Sequence, residues 1–181
     1  SEGGYAPVEK ERTIDLASVV DVAKVERVED STIIGLYPAA DVIIDELMDE
    51  IKAKLQDYAT GDNFQVYKSK DVETEIYGGS SDRIAPIVII PKPGYFIEHE
   101  NNKMKKYISG YLNEEVLSRS VFLATGPYFR STINDGNRVL EPFENVNVYN
   151  IICESLEINP SSNNGTDAML HSAANFVEPE W

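Results

Sequence analysis

Pro38-Ala39-Ala40-Asp41-Val42-Ile43-Ile44-Asp45-Glu46-Leu47-Met48-Asp49-Glu50-Ile51-Lys52-Ala53-Lys54-Leu55-Gln56-Asp57-Tyr58-Ala59 is the most strongly periodic stretch of this chain. Its apolar residues Ile44, Leu47, Met48, Ile51, Leu55 and Tyr58 recur at the spacing of one helix face. Pro38 suits a first helical turn, where a missing N–H costs nothing. Asp41, Asp45 and Glu46 sit toward the positive end of the helix dipole, Lys52 and Lys54 toward the negative end, and Gly61 offers a stop. The spacing predicts a helix over 39–59 whose apolar face needs a sheet or another helix to lie on.

The flanks read as strands. Ser31 to Tyr37 is a short β-rich run, and residues 13–28 alternate only at first. Phe64–Tyr67 and Asp71–Tyr77 alternate around Lys68-Ser69-Lys70, which predicts a hairpin. The unbroken run Ile84-Ala85-Pro86-Ile87-Val88-Ile89-Ile90 predicts a central strand buried on both faces, and Tyr95–His99 a short strand after it. Asn102–Glu115 has apolar residues at helical spacing, interrupted by Gly110. Residues 120–125, 128–133 and 145–158 read as strands, with Asn134-Asp135-Gly136-Asn137 as a tight hairpin turn. The expected organisation is an N-terminal arm over 1–12, one domain over 13–158 and a polar tail over 159–181. The expected class is α+β, a mainly antiparallel sheet carrying the long helix, with a second shorter helix and extended terminal arms.

Composition closes several doors. The chain has 181 residues, 31 acidic against 16 basic, two histidines and one cysteine, for a formal net charge of −15. So few nitrogen and sulfur ligands leave little room for a zinc site or thiol chemistry. The negative charge repels phosphate backbones and anionic lipids, so neither nucleic acid nor membrane is an expected partner. No apolar run approaches the roughly 18 residues of a membrane span. Cys153, in Ile151-Ile152-Cys153, reads as a buried small hydrophobe.

Candidate chemistry is sparse. Glu98-His99-Glu100 is the densest cluster around a histidine, yet on a strand the two glutamates share a face opposite the imidazole. Tyr77-Gly78-Gly79-Ser80-Ser81-Asp82-Arg83 has the glycines and hydroxyls of an anion cradle but lacks a P-loop lysine and leads into a strand. Asp41, Asp45 and Asp49 are the wet face of the helix, without an EF-hand loop. Gly-x-Ser-x-Gly is absent. Asn164-Gly165-Thr166 fits the acceptor pattern for N-linked glycans, which matters in a secreted eukaryotic chain. No catalytic residue, metal or cofactor is nominated from these motifs.

Aromatic residues in the polar terminal segments, Tyr5, Phe176 and Trp181, are the interface candidates, because such segments offer them no core of their own. Docking in trans and folding back on the chain's own domain are both open to them. Over residues 39–158 the order helix, hairpin, buried strand (Pro86-Ile87-Val88-Ile89-Ile90), second helix and further strands resembles phage tail-completion and head-to-tail joining proteins. That resemblance implies a catalytically silent subunit that assembles into rings through its termini, in a virion or a host cytoplasm. The leading expectation is therefore a non-enzymatic assembly subunit whose partners are other protein subunits. A binding module for a sugar, peptide or cation is the alternative, and an enzyme using Glu98 and Glu100 ranks third.

Overall fold

A computed structural model describes residues 3–58, 63–72, 81, 83–100, 102–126, 128–129, 139–140, 142–166 and 176–177. The chain forms two compact units, Ser1–Val121 and Phe122–Trp181. In the first, β1 (Ala6–Pro7), β2 (Thr13–Asp15), helix α1 (Leu16–Val19), β3 (Val25–Glu29) and β4 (Ile34–Pro38) precede the long helix α2 (Ile44–Tyr58). Then come β5 (Phe64–Lys68), β6 (Ile87–Pro91), β7 (Phe96–Glu98) and β8 (Tyr107–Ile108). The class is α+β as expected, and its centre is a four-stranded antiparallel sheet in the order β3-β4-β6-β5.

Strand β6 organises the packing. Ile87 and Ile89, both fully buried, point to one face and meet Ile34, Leu36 and Val66 from the neighbouring strands. Helix α2 covers that face with Leu47, Met48, Ile51 and Leu55, while Leu16, Val19 and Val20 close the same core. Val88 and Ile90 alternate to the opposite face, where Val72, Ala85 and Leu112 receive them. An apolar run with no polar alternation is what a strand covered on both faces requires. Two surface ion pairs brace α2: Lys24 reaches Glu50 at 2.6 Å, and Lys68 of β5 pairs with Asp45.

Helix α2 starts five residues later than its apolar pattern suggests. Pro38 closes β4 opposite Val25, an edge position where a missing donor is tolerated, and residues 39–43 make a turn closed by Val42 N–H to the Ala39 carbonyl. The expected hairpin partner at 71–77 lies mostly outside the described residues; among those described, β5 pairs with β6.

Two smaller strand pairs accompany the sheet. Strand β2 runs parallel to β7, and Asp15 at its end caps α1 by accepting the Ala17 N–H at 3.0 Å. Strand β1 pairs antiparallel with β8, and Ala6 and Val8 are buried with Phe96, Ile108 and Tyr111. So this part of the expected N-terminal arm folds home. The helix expected over 102–115 is not formed: β8 pairs with β1, and Gly110 adopts φ +91°, which ends any helical continuation.

In the second unit, α3 (Asn147–Ser155) occupies the stretch expected as a strand. Its buried residues are Asn147, Asn150, Ile151 and Cys153, and the two at the start of the helix are polar, so an apolar template misses its helical spacing. Strands β9 (Val139–Leu140) and β10 (Phe176–Val177) pair antiparallel. Residues 120–125 are irregular rather than extended in a sheet, and Tyr128 and Phe129 have helical backbone. The Asn134–Asn137 turn and the rest of the 128–133 strand expectation lie outside the described residues.

Candidate functional site

Polar side chains converge at one end of the first unit, where the β3–β4 turn meets the end of β7. His99 Nδ1 lies 3.2 Å from Asp30 Oδ2, and both side chains are largely buried. The second carboxylate oxygen of Asp30 is buried and has no hydrogen-bond partner among the described residues. An imidazole held at Nδ1 by a carboxylate has a fixed ring plane and a defined tautomer, which is how such rings are made ready to exchange a proton or hold a ligand. Backbone bonds between His99 and Asn102 in both directions hold the strand end. On the same turn, Thr32 Oγ1 donates to the Ser109 carbonyl at 2.6 Å and ties down the Ser109–Tyr111 segment. The Tyr111 hydroxyl in turn donates to the Tyr95 carbonyl at 2.8 Å, and burial raises its pKa above that of free tyrosine.

A second concavity, of about 330 Å³, lies along α2 and β5. Lys52 and Gln56 line it from the helix, Phe64, Gln65 and Tyr67 from the strand. It offers one ammonium, two amides and two rings to a ligand.

The residues nominated from sequence are not brought together. Tyr5 is half exposed beside β1. Phe176 pairs through its backbone with Leu140, and Trp181 lies outside the described residues. Glu98 is occupied structurally, its Oε1 accepting the Met104 N–H at 2.7 Å, while Glu100 is exposed. Most of the 77–83 loop lies outside the described residues. Cys153 is buried, as expected. Among the described residues no three His, Cys, Asp or Glu side chains gather as a metal site. The Asp30–His99 pair was missed because its members stand 69 residues apart: the Glu98-His99-Glu100 cluster drew attention to His99 but to the wrong carboxylates.

Comparison with known proteins overturns the functional expectation. The family model described as type I phosphodiesterase / nucleotide pyrophosphatase matches residues 1–112. A mouse bis(5'-adenosyl)-triphosphatase is 28% identical over the whole chain and 36% of its own length. A fission-yeast protein named as a pyrophosphatase/phosphodiesterase is 26% identical over 92% of the chain and 35% of its own length. The chain thus spans about a third of these relatives. The structure of murine ectonucleotide pyrophosphatase / phosphodiesterase 5 superposes with a TM-score of 0.72 at 21% identity, covering 92% of this chain and 42% of that one. The resemblance to phage joining proteins was one of element order alone, and the family match overturns it. The readings as a virion assembly subunit and as a binding module both fall with it, since the matched proteins are named as enzymes. On this match the chain belongs to the type I phosphodiesterase / nucleotide pyrophosphatase family.

Proposed function

We propose that this chain forms part of a hydrolase that cleaves the phosphodiester or pyrophosphate bond of a nucleotide with water. The observation that carries the reading is the family match across residues 1–112. Two further findings support it: the full-chain similarity to a mouse protein named for hydrolysing bis(5'-adenosyl) triphosphate, and fold likeness to a mouse relative solved with AMP, at a TM-score of 0.71. The segment's own contribution in this reading is architectural. The β3-β4-β6-β5 sheet, clamped by α2, holds the β3–β4 and Ser109–Tyr111 turns against each other, and positioned turns on a rigid sheet are where hydrolytic sites are built. The net charge of −15 sets a limit on substrate size. A short nucleotide tolerates it better than a long polyanion, whose repulsion grows with every phosphate.

The test is hydrolysis by the natural-length protein carrying this segment, offered diadenosine triphosphate and bis(p-nitrophenyl) phosphate and followed by release of AMP and nitrophenolate. Turnover of either supports the proposal. A folded, divalent-metal-supplemented protein that cleaves neither overturns it.

A further inference from the structure

The turn that follows α3 points to a covalent modification. Its sequence is Asn159-Pro160-Ser161-Ser162-Asn163-Asn164-Gly165-Thr166, and of its three asparagines one is tied into the turn and one is ruled out by local chemistry. Asn163 is exposed but its amide is engaged: its Nδ2 donates to Asn150 Oδ1 and to the Ser161 carbonyl, both at 2.8 Å, and its Oδ1 accepts the Gly165 N–H at 2.7 Å. Thr166 is clipped by Asn147, whose Oδ1 accepts the Thr166 N–H at 2.6 Å and its hydroxyl at 3.0 Å. Gly165 has no room for a side chain, because a Cβ there would fall 2.7 Å from Asn150 Nδ2. Asn164 is the remaining asparagine. It is exposed, and among the described residues its side chain makes no hydrogen bond.

We propose that Asn164 is an acceptor for an N-linked glycan. Asn164-Gly165-Thr166 has the required amide and hydroxyl two residues apart, with a middle residue other than proline. The same turn carries its own negative control. Asn159-Pro160-Ser161 also sets a hydroxyl residue two positions after an asparagine but places proline in the middle, so Asn159 is barred. In the reaction, Asn164 Nδ2 bonds to C1 of an oligosaccharide carried on a polyprenyl diphosphate, and the C1–O bond breaks. The diphosphate leaves with the electron pair and takes up the proton that the amide releases.

The folded geometry gives the step an order. The Thr166 hydroxyl that the transferase must read is engaged by Asn147 in the finished fold, so transfer precedes docking of the turn onto α3. Afterwards the glycan projects from an exposed side chain, and the asparagine ladder of Asn147, Asn150 and Asn163 closes beneath it undisturbed.

The experiment expresses the full chain behind a secretory leader in eukaryotic cells and analyses medium and cell extract together. Peptide mass spectrometry after enzymatic deglycosylation in heavy-oxygen water reads the site. The expected result is an intact mass higher by one core oligosaccharide, with conversion to aspartate at Asn164 and none at Asn159. Asn164→Gln and Thr166→Ala abolish the mass increase, and Thr166→Ser retains it. An unmodified Asn164 in chains that entered the secretory pathway overturns the proposal, as does a mass increase that survives Asn164→Gln.

Discussion

Gly110 shows how a single residue decides a local path. Its φ of +91° is open to glycine and costly to a side chain, and a Cβ there would stand 3.3 Å from Thr32 Oγ1, the atom that anchors this segment. Gly110→Ala is expected to destabilise the first unit by about 1–3 kcal/mol, read from urea unfolding midpoints. An unchanged midpoint would mean that the turn relaxes freely and is not held by Thr32. Tyr128 answers to pH instead. Burial, then the hydrogen bond and charge of Glu154, push its pKa up to about 12, so the folded state keeps a proton that an unfolded tyrosine gives up at about 10. Because the folded pKa is the higher one, the stabilisation is complete below pH 10 and is lost as pH rises through 12. Phenolate absorbance should show a late tyrosine phase near that value, absent in Tyr128→Phe. Persistence of the phase in the variant would assign it to another ring.

At the scale of elements, α2 divides its residues cleanly between core and solvent, and the division predicts its mutants. Ile51 is fully buried against the sheet, so Ile51→Ala should cost about 2–5 kcal/mol. Ile44, the first residue of the helix and 36% exposed, should cost under about 1 kcal/mol when changed to alanine, as for a surface site. Equal costs in chemical denaturation would contradict the packing. The same contrast explains what the sequence could disclose. Helix α2 was legible because its buried positions are all apolar, and β6 because it is apolar on both faces. Helix α3 was not, since asparagine fills two of its inward positions and the β-branched residues around them favour a strand reading. The segment 102–115 failed in the other direction. Its helical spacing is real, but pairing with β1 and the left-handed Gly110 outweigh it, and only non-local structure reveals either. The Asp30–His99 pair was illegible for a related reason: it exists only where the ends of β3 and β7 meet.

For the whole molecule, charge is the property that sequence states without ambiguity, and its consequence depends on which interactions dominate. The chain has 15 more acidic than basic side chains, 31 against 16. The order of elements and the sparse motifs pointed toward a catalytically silent subunit because neither records ancestry; the family match supplied what no local motif displayed. The charge nonetheless governs stability. Like charges repel across the compact state, and salt shortens their reach from about 30 Å at 0.01 M to about 8 Å at 0.15 M. Salt also weakens the attractive pairs Lys24–Glu50 and Lys68–Asp45, but exposed pairs contribute little, and there are too few cations to neutralise the surplus. Repulsion should therefore win the comparison. Thermal unfolding is expected at a higher temperature in 0.15 M than in 0.01 M sodium chloride at neutral pH, and the gain should shrink as pH is lowered toward the calculated isoelectric point of 4.4. A midpoint that falls with added salt would show that the acidic side chains are arranged around local attractions after all, and the two ion pairs on α2 would be the first places to look.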